Sequence, residues 1–152
     1  MSKTSGVPEQ LYNGPLVLWM EKMKDKTTLN LNNRKLSTRD VKAIGYVLKT
    51  NNTLTYLNLG NNNITDVQSI GEGLKTNKTL EDLWLHNNNI TDDSGIQSII
   101  DGLKTNNTLR LLDLSNNQLS DNMKSQLNDI EQYKEDGSNG YQQVKWMRIT
   151  TL

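Results

Sequence analysis

Leucine and isoleucine recur along the chain in a fixed pattern that predicts a short strand followed by a turn. The pattern is LxxLxLxxNxI/L, and it is complete three times. Because successive side chains of a strand point to opposite faces, the LxL alternation places two leucines on one buried face of each strand. The three copies are Leu54, Leu57, Leu59, Asn62, Ile64; Leu80, Leu83, Leu85, Asn88, Ile90; and Leu109, Leu112, Leu114, Asn117, Leu119.

A degenerate fourth copy precedes these three. Leu29, Leu31 and Leu36 hold its apolar positions, whereas Lys26 replaces the first leucine and Arg34 replaces the asparagine. The third leucine positions of successive copies are 28, 26 and 29 residues apart. Such a period is typical of a chain built from stacked structural units, and the missing asparagine places the first copy at an end of the stack.

A helical pattern follows each strand pattern. In each case an isoleucine and a leucine stand four residues apart, which places both on one face of a helix. The next strand pattern begins six residues after that leucine every time. No unit of this size can bury its leucines alone, so neighbouring units must stack. The three pairs are Ile44 and Leu48, Ile70 and Leu74, and Ile99 and Leu103.

The predicted fold is an α/β solenoid in the form of a horseshoe segment. Parallel strands form the concave face, and the helices, which need more width, take the convex face. The ends of the core require terminal caps. Asn62, Asn88 and Asn117 stand where the chain leaves each strand, and we expect their amides to bond the buried backbone of the turn.

The chain is expected to be a single domain, 1–152, with four repeats over residues 26–133. Residues 1–14 are predicted to be a flexible N-terminus. Residues 15–24 are predicted to form a helical cap, because Pro15 suits the first turn of a helix and the apolar spacing of the other helices continues after it.

The C-terminal end is predicted to carry a loop at residues 134–140 and a capping strand at residues 141–152. Tyr141, Val144 and Trp146 repeat the LxxLxL spacing with other apolar residues. The alternative for this segment is a mobile tail, since chain ends often fray.

Composition excludes several functional classes. Seventeen Lys and Arg balance seventeen Asp and Glu, so no excess charge attracts nucleic acid or an anionic membrane. No run approaches the roughly 20 apolar residues of a membrane span, and residues 1–10 lack the core of a secretory signal. We therefore expect a soluble, cytoplasmic protein that is a monomer and binds neither nucleic acid nor membrane.

Candidate chemistry is sparse. There is no cysteine, and His86 is the only histidine, so no thiolate cluster, histidine-pair metal site or cysteine–histidine nucleophile can form. Gly71 and Gly73 lack the GK[ST] continuation of a phosphate loop. Three pairs that fall just before helical stretches suit capping: Thr65-Asp66, Thr91-Asp92 and Ser120-Asp121. We expect no cofactor, no metal and no enzymatic activity.

The repeat resembles the leucine-rich-repeat family, in particular the subclass with helix-containing repeats typified by ribonuclease inhibitor, tropomodulin and nucleotide-binding immune receptors. The resemblance is clear from Asn51 to Leu119 and weaker on both sides. It implies a binding module. It also leaves three alternatives open: a GTPase regulator like the Ran activators, a fragment of a larger immune-type sensor, and an enzyme inhibitor.

The strand residues that flank the leucines are expected to point into the concavity and to bind a protein partner. Tyr and Trp are enriched among residues that dominate binding energy, and the repeat gives no structural reason for them here. The alternative is that Trp84 only packs on its neighbours within the sheet. The candidate residues are Tyr56, Asp82, Trp84, His86, Leu111 and Asp113, with a further row at Gln143, Lys145 and Met147.

Two of the candidates invite a catalytic interpretation that we do not adopt. Asp82 and Asp113 are expected diagonally on neighbouring strands, roughly 7 to 8 Å apart. An open sheet cannot exclude water as paired-carboxylate catalysis requires. His86 is expected to be an exposed contact residue.

Overall fold

The computed structural model describes residues 25–136 and 148–151, which form a five-stranded parallel sheet backed by helices. The strands follow one another in the sheet in chain order, and a helix lies between each strand and the next. The elements are β1 (Thr28–Asn30), α1 (Thr38–Thr50), β2 (Tyr56–Asn58), α2 (Gln68–Thr76), β3 (Asp82–Trp84), α3 (Asp93–Thr105), β4 (Leu111–Asp113), α4 (Asp121–Asp136) and β5 (Arg148–Thr150).

The central leucine of each strand stacks on that of the next. Leu57 pairs in register with Leu29 and Leu83, and Leu83 pairs with Leu112. Leu57, Leu83 and Leu112 are fully buried. The isoleucine–leucine pairs of α1, α2 and α3 are fully buried against them. The predicted α/β solenoid with one continuous core is confirmed.

Glycines let the helices approach one another closely. A Cβ at Gly45 would lie 2.3 Å from the Ser69 carbonyl oxygen, and one at Gly71 would lie 2.3 Å from the Ser98 carbonyl carbon. Any side chain at either position would therefore meet the backbone of the next helix. Ile100 is the residue of α3 equivalent to Gly45 and Gly71, so α3 has no glycine at this position to allow an equally close approach to α4.

The turn asparagines form a ladder of hydrogen bonds between repeats. Asn62 Oδ1 accepts from Arg34 N at 2.8 Å and from Leu36 N at 3.3 Å. Its Nδ2 donates to the carbonyl oxygens of Leu31, Leu59 and Gly60. Asn88 and Asn117 make the same kinds of contact one and two repeats later. The predicted role of these residues is confirmed.

A second asparagine ladder, which the pattern analysis did not identify, lies where each helix returns to the sheet. Asn77 Oδ1 accepts from the backbone N of Thr79 and Leu80 at 3.0 and 2.8 Å, and Nδ2 donates to the carbonyl oxygens of Leu48 and Asn51. Asn106 repeats this arrangement with the unit before it. The recurring LKTN string therefore ends on a structural amide.

The C-terminal strand lies later in the chain than its predicted pattern. Ile149, and not Val144, pairs with Leu112 at the central position, so the predicted register is wrong by five residues. Trp146 and Ile149 offer the same apolar spacing as Tyr141 and Val144, and spacing alone could not distinguish the two registers.

Several terminal predictions fall outside the described residues. They are the flexible N-terminus at residues 1–14, the cap at residues 15–24, and the row at Gln143, Lys145 and Met147. Helix α4 ends at Asp136 and so includes the first residues of the predicted loop at 134–140. Within the described ranges, no helix has both the length and the apolar character that a membrane crossing requires.

Candidate functional site

Nine residues of β2, β3, β4 and the turns after them form a grid on the side of the sheet opposite the helices. Trp84 lies at its centre: Asn58 and Asp113 are its register partners, and Asp82 and His86 flank it along the chain. All except Gly60 are partly exposed. We call this grid the open sheet face; its members are Tyr56, Asn58, Gly60, Asp82, Trp84, His86, Leu111, Asp113 and Ser115.

All six candidate residues from the sequence lie in this grid. The alternation along three strands brings Tyr56, Asp82, Trp84, His86, Leu111 and Asp113 to one surface. No group of three or more His, Asp or Glu side chains is arranged to hold a metal ion in the part of the chain that the structure describes.

Three rings pack together at the centre of the open sheet face. The centroids of Tyr56 and Trp84 are 6.3 Å apart with their planes at 44°. Trp84 meets His86 edge to face, at 5.8 Å and 86°. Both separations are within the range of favourable aromatic pairs. Trp84 thus packs on its neighbours, as the structural alternative supposed, and also remains partly exposed.

His86 is more enclosed than expected. Its side chain is 19% exposed, so His86 is a partly enclosed residue and not the fully exposed one that was expected. The imidazole occupies space that is free because residue 60 is glycine: a Cβ there would lie 2.5 Å from Cε1 and Nε2. On the other side, His86 Nδ1 is 3.8 Å from Asp113 Oδ2, which is too long for a hydrogen bond.

Trp84 replaces a residue type that supports the turn in the other described repeats. In three other repeats, the side chain at the position equivalent to Trp84 accepts a hydrogen bond from the backbone N–H two residues later. An indole has no acceptor and cannot do this. The three contacts are Asn30 Oδ1 to Asn32 N (3.0 Å), Asn58 Oδ1 to Gly60 N (2.9 Å) and Asp113 Oδ1 to Ser115 N (2.9 Å).

Two buried polar atoms at the centre of the grid have no hydrogen-bond partner. They are Trp84 Nε1 and His86 Nδ1, and among the described residues only Thr79 Oγ1 shares this condition. A buried unpaired polar atom costs on the order of 1 to 3 kcal/mol. Two of them side by side indicate that the centre of the open sheet face is not optimised for the stability of the isolated chain.

The charge of the Asp82 carboxylate is only partly compensated. Burial raises the pKa of this carboxyl, the neighbouring Glu81 carboxylate raises it further, and Arg110 lowers it. Arg110 is itself 3.7 Å from Glu81 Oε2. No hydrogen-bond donor is among the groups that act on the Asp82 pKa.

Replacing Asp82 by asparagine is expected to stabilise the fold at neutral pH. Because the folded-state pKa is raised, the ionised carboxylate costs free energy above that pKa, and the cost vanishes as pH falls below the unfolded value. After allowance for solvent screening, we expect a gain of about 0.5 kcal/mol. Urea unfolding at pH 7 and at roughly pH 3, below the ordinary aspartate pKa, measures it.

Asp101→Asn is the control with the opposite sign. The hydrogen bond from Lys104 holds the pKa of Asp101 below its usual value. Its carboxylate therefore stabilises the fold above the unfolded pKa, and asparagine should lower stability at pH 7. If Asp82→Asn also lowered stability at pH 7, a net electrostatic cost of the Asp82 carboxylate would be refuted.

Comparison with known proteins agrees with this architecture. The family description "Leucine Rich repeats (2 copies)" matches residues 52–98, and "Leucine Rich repeat" matches residues 105–122. No curated protein sequence matches significantly. Among solved structures, the chain is similar to "Leiomodin-1 Actin-Binding Site 2 (ABS2)", with 22% identity and a TM-score of 0.69 over 90% of this chain and 76% of that one.

At this identity, the likeness to leiomodin-1 shows the fold alone. The parallel ladder, the intervening helices and the repeat matches agree on one architecture. The chain therefore carries leucine-rich repeats at residues 52–98 and 105–122 and folds as an α/β leucine-rich-repeat solenoid.

Proposed function

We propose that the chain is a protein-interaction module that binds a protein partner through the open sheet face. The observation that carries this proposal is Trp84, which takes the central position where an acceptor side chain elsewhere supports the turn. Large aromatic residues at the centre of a surface dominate binding energy in many interfaces. The contact residues are Tyr56, Asp82, Trp84, His86, Leu111 and Asp113.

The surroundings of Trp84 support this use. Tyr56 and His86 hold the indole from two sides, so little side-chain freedom remains to be lost on binding. Leu111 adds an apolar side chain on β4, and the aspartates supply polar groups beside it. An aromatic centre with a polar rim is the usual composition of a protein interface.

The proposal includes how the module acts. It binds without catalysis and without a cofactor, as a cytoplasmic monomer. Its repeats belong to the helix-containing, ribonuclease-inhibitor-like subclass, which is supported by the 13-residue helices α1 and α3 and by the repeat length. Actin, for which the leiomodin-1 fragment is named, is the first purified protein to assay.

Trp84→Asn is expected to weaken binding strongly and to preserve the fold. Asparagine at this position supplies the acceptor that Asn58 supplies one repeat earlier, which offsets the loss of the indole. We expect the free energy of unfolding to change by less than about 1.5 kcal/mol. We expect the affinity for the partner to fall about thirty-fold, which corresponds to the loss of about 2 kcal/mol of binding free energy at a hot spot. Quantitative capture from lysate of the cells that express the protein measures this.

Tyr46→Gln is the matched control. Tyr46 is a partly exposed aromatic residue of α1 that lines a groove between α1 and α2, on the other side of the molecule. The proposal requires a partner that wild type and Tyr46→Gln retain and Trp84→Asn loses. If Trp84→Asn retained the partner, or if only Tyr46→Gln lost it, the partner would bind the helices and not the open sheet face.

A further inference from the structure

We propose that the partner presents an arginine side chain to the open sheet face, with its guanidinium stacked on Trp84 between the carboxylates of Asp82 and Asp113. This inference rests on the proposed function and names the chemistry of its central contact. The bound group is an arginine in an exposed segment of the partner protein.

The strand register places both carboxylates around the indole. Asp82 is two residues before Trp84 on β3, which is about 7 Å along a strand. Asp113 is the register partner of Trp84 on β4, and neighbouring strands are about 4.8 Å apart. A cation above the ring therefore has one carboxylate along the strand and another across it, and Tyr56 stands beside the ring at 6.3 Å.

The charge of the grid is complementary to a cation. Its nine residues include two aspartates, no lysine and no arginine, which gives a formal charge of −2 with His86 neutral. Arg110 lies outside the grid beside Glu81. Arg148 lies on β5, where its register partner is Leu111; the register partner of Asp113 is Thr150. Burial of the Asp82 carboxyl without a donor leaves a charge that Arg110 offsets only in part and that a partner's cation would compensate further.

The available acceptor atoms favour arginine over lysine. Asp113 Oδ1 already accepts from Ser115 N at 2.9 Å and Ser115 Oγ at 2.6 Å, but Oδ2 accepts no hydrogen bond from a described residue. The open acceptors therefore belong to two separate carboxylates on two sides of one ring. A planar guanidinium stacks on an aromatic face and directs its donors outward in its own plane, whereas an ammonium is a point charge.

Titration of the full chain with short capped peptides tests the contact. The probes are acetyl-Gly-Arg-Gly-amide, its citrulline analogue, which has a similar shape without the charge, and its lysine analogue. The indole N–H signal of Trp84 in a ¹⁵N NMR spectrum reports binding, and its absence in Trp84→Asn assigns it. Millimolar peptide is needed because the contact is a single side chain.

The arginine peptide is expected to shift the Trp84 indole signal and the amide signals of Tyr56, Asp82 and Asp113. Citrulline should bind at least about five-fold more weakly, since the cation–π and ionic contributions are lost, and lysine should fall between them. Asp82→Asn should weaken binding of the arginine peptide by a similar factor. Asp101→Asn, which removes a carboxylate from α3, should leave this binding unchanged. Higher ionic strength should weaken binding.

Three results would overturn the arginine contact: no shift at millimolar arginine peptide, equal shifts with citrulline, or no effect of Asp82→Asn. The proposed function fails separately. If capture of the partner depends on Trp84 but is insensitive to Asp82→Asn and to excess arginine peptide, the binding surface stands and the arginine contact does not.

Discussion

Replacing Asn88 by leucine is expected to lower the free energy of unfolding by about 4 kcal/mol. Asn88 Oδ1 accepts from the backbone N of Asn62 and of Ile64, both at 3.0 Å and both in the preceding repeat. Leucine has the same number of side-chain heavy atoms in a similar branched shape but accepts nothing, so two buried N–H groups lose their partner at about 1 to 3 kcal/mol each. Urea unfolding followed by circular dichroism measures the loss.

The donor side of the same amide adds to the effect. Asn88 Nδ2 donates to the carbonyl oxygens of Leu59, Leu85 and His86 at 3.1, 2.9 and 3.3 Å. Asn89→Leu is the matched control, because Asn89 is the next residue and its side chain is exposed. We expect it to change stability by less than about 0.5 kcal/mol. Equal losses at residues 88 and 89 would refute the structural role of the ladder.

Gly71→Ala is expected to destabilise the fold by about 3 kcal/mol, against the ordinary preference of helices for alanine. Alanine in place of a helical glycine usually gains about 1 kcal/mol. Here its Cβ would lie 2.3 Å from the Ser98 carbonyl carbon and 2.5 Å from Ile99 N. These are backbone atoms, so α2 and α3 must separate to admit the methyl group, and core contacts are lost. Thermal and urea unfolding both report the change.

Gly95→Ala is the matched control within α3. A Cβ at Gly95 has its nearest neighbours, Val67 Cγ2 and Val67 N, at 3.2 Å, where a small adjustment is enough. We expect the free energy of unfolding of this variant to lie within about 1 kcal/mol of the wild-type value. A stabilising Gly71→Ala would show that the two helices do not pack as closely as described.

The core was predictable because it follows from spacing. Leu57, Leu83 and Leu112 stand at the same place in three copies of one pattern, and a parallel ladder is the arrangement that buries them together. The same reasoning failed at the C-terminus. Val144 and Ile149 both fit the apolar spacing, and only the pairing with Leu112 distinguishes them.

Contacts between repeats were harder to predict. Asn77 and Asn106 recur in the LKTN strings, but what their amides bond is set by the carbonyl groups of the preceding repeat. The sequence excluded a phosphate loop at Gly71 but gave no role to this glycine, and the structure gives it a packing role. In both cases the residue type was visible and its partner was not.

The candidate site was located by alternation along the strands. That rule places the Tyr56, Trp84 and Asp113 side chains on one face without any knowledge of distances. It could not show that His86 is enclosed over Gly60, nor that burial raises the pKa of the Asp82 carboxyl. One position of the repeat carries the signal in the sequence that distinguishes this site. Its residues in the four copies are Asn30, Asn58, Trp84 and Asp113, so that only Trp84 lacks an acceptor side chain.

The most direct measurement is the affinity of the isolated partner for wild type, Trp84→Asn and Tyr46→Gln at one salt concentration. We expect Trp84→Asn to bind about thirty-fold more weakly while it unfolds at nearly the wild-type denaturant concentration, and Tyr46→Gln to bind as wild type does. Wild-type affinity for Trp84→Asn would contradict the assignment of binding to the open sheet face.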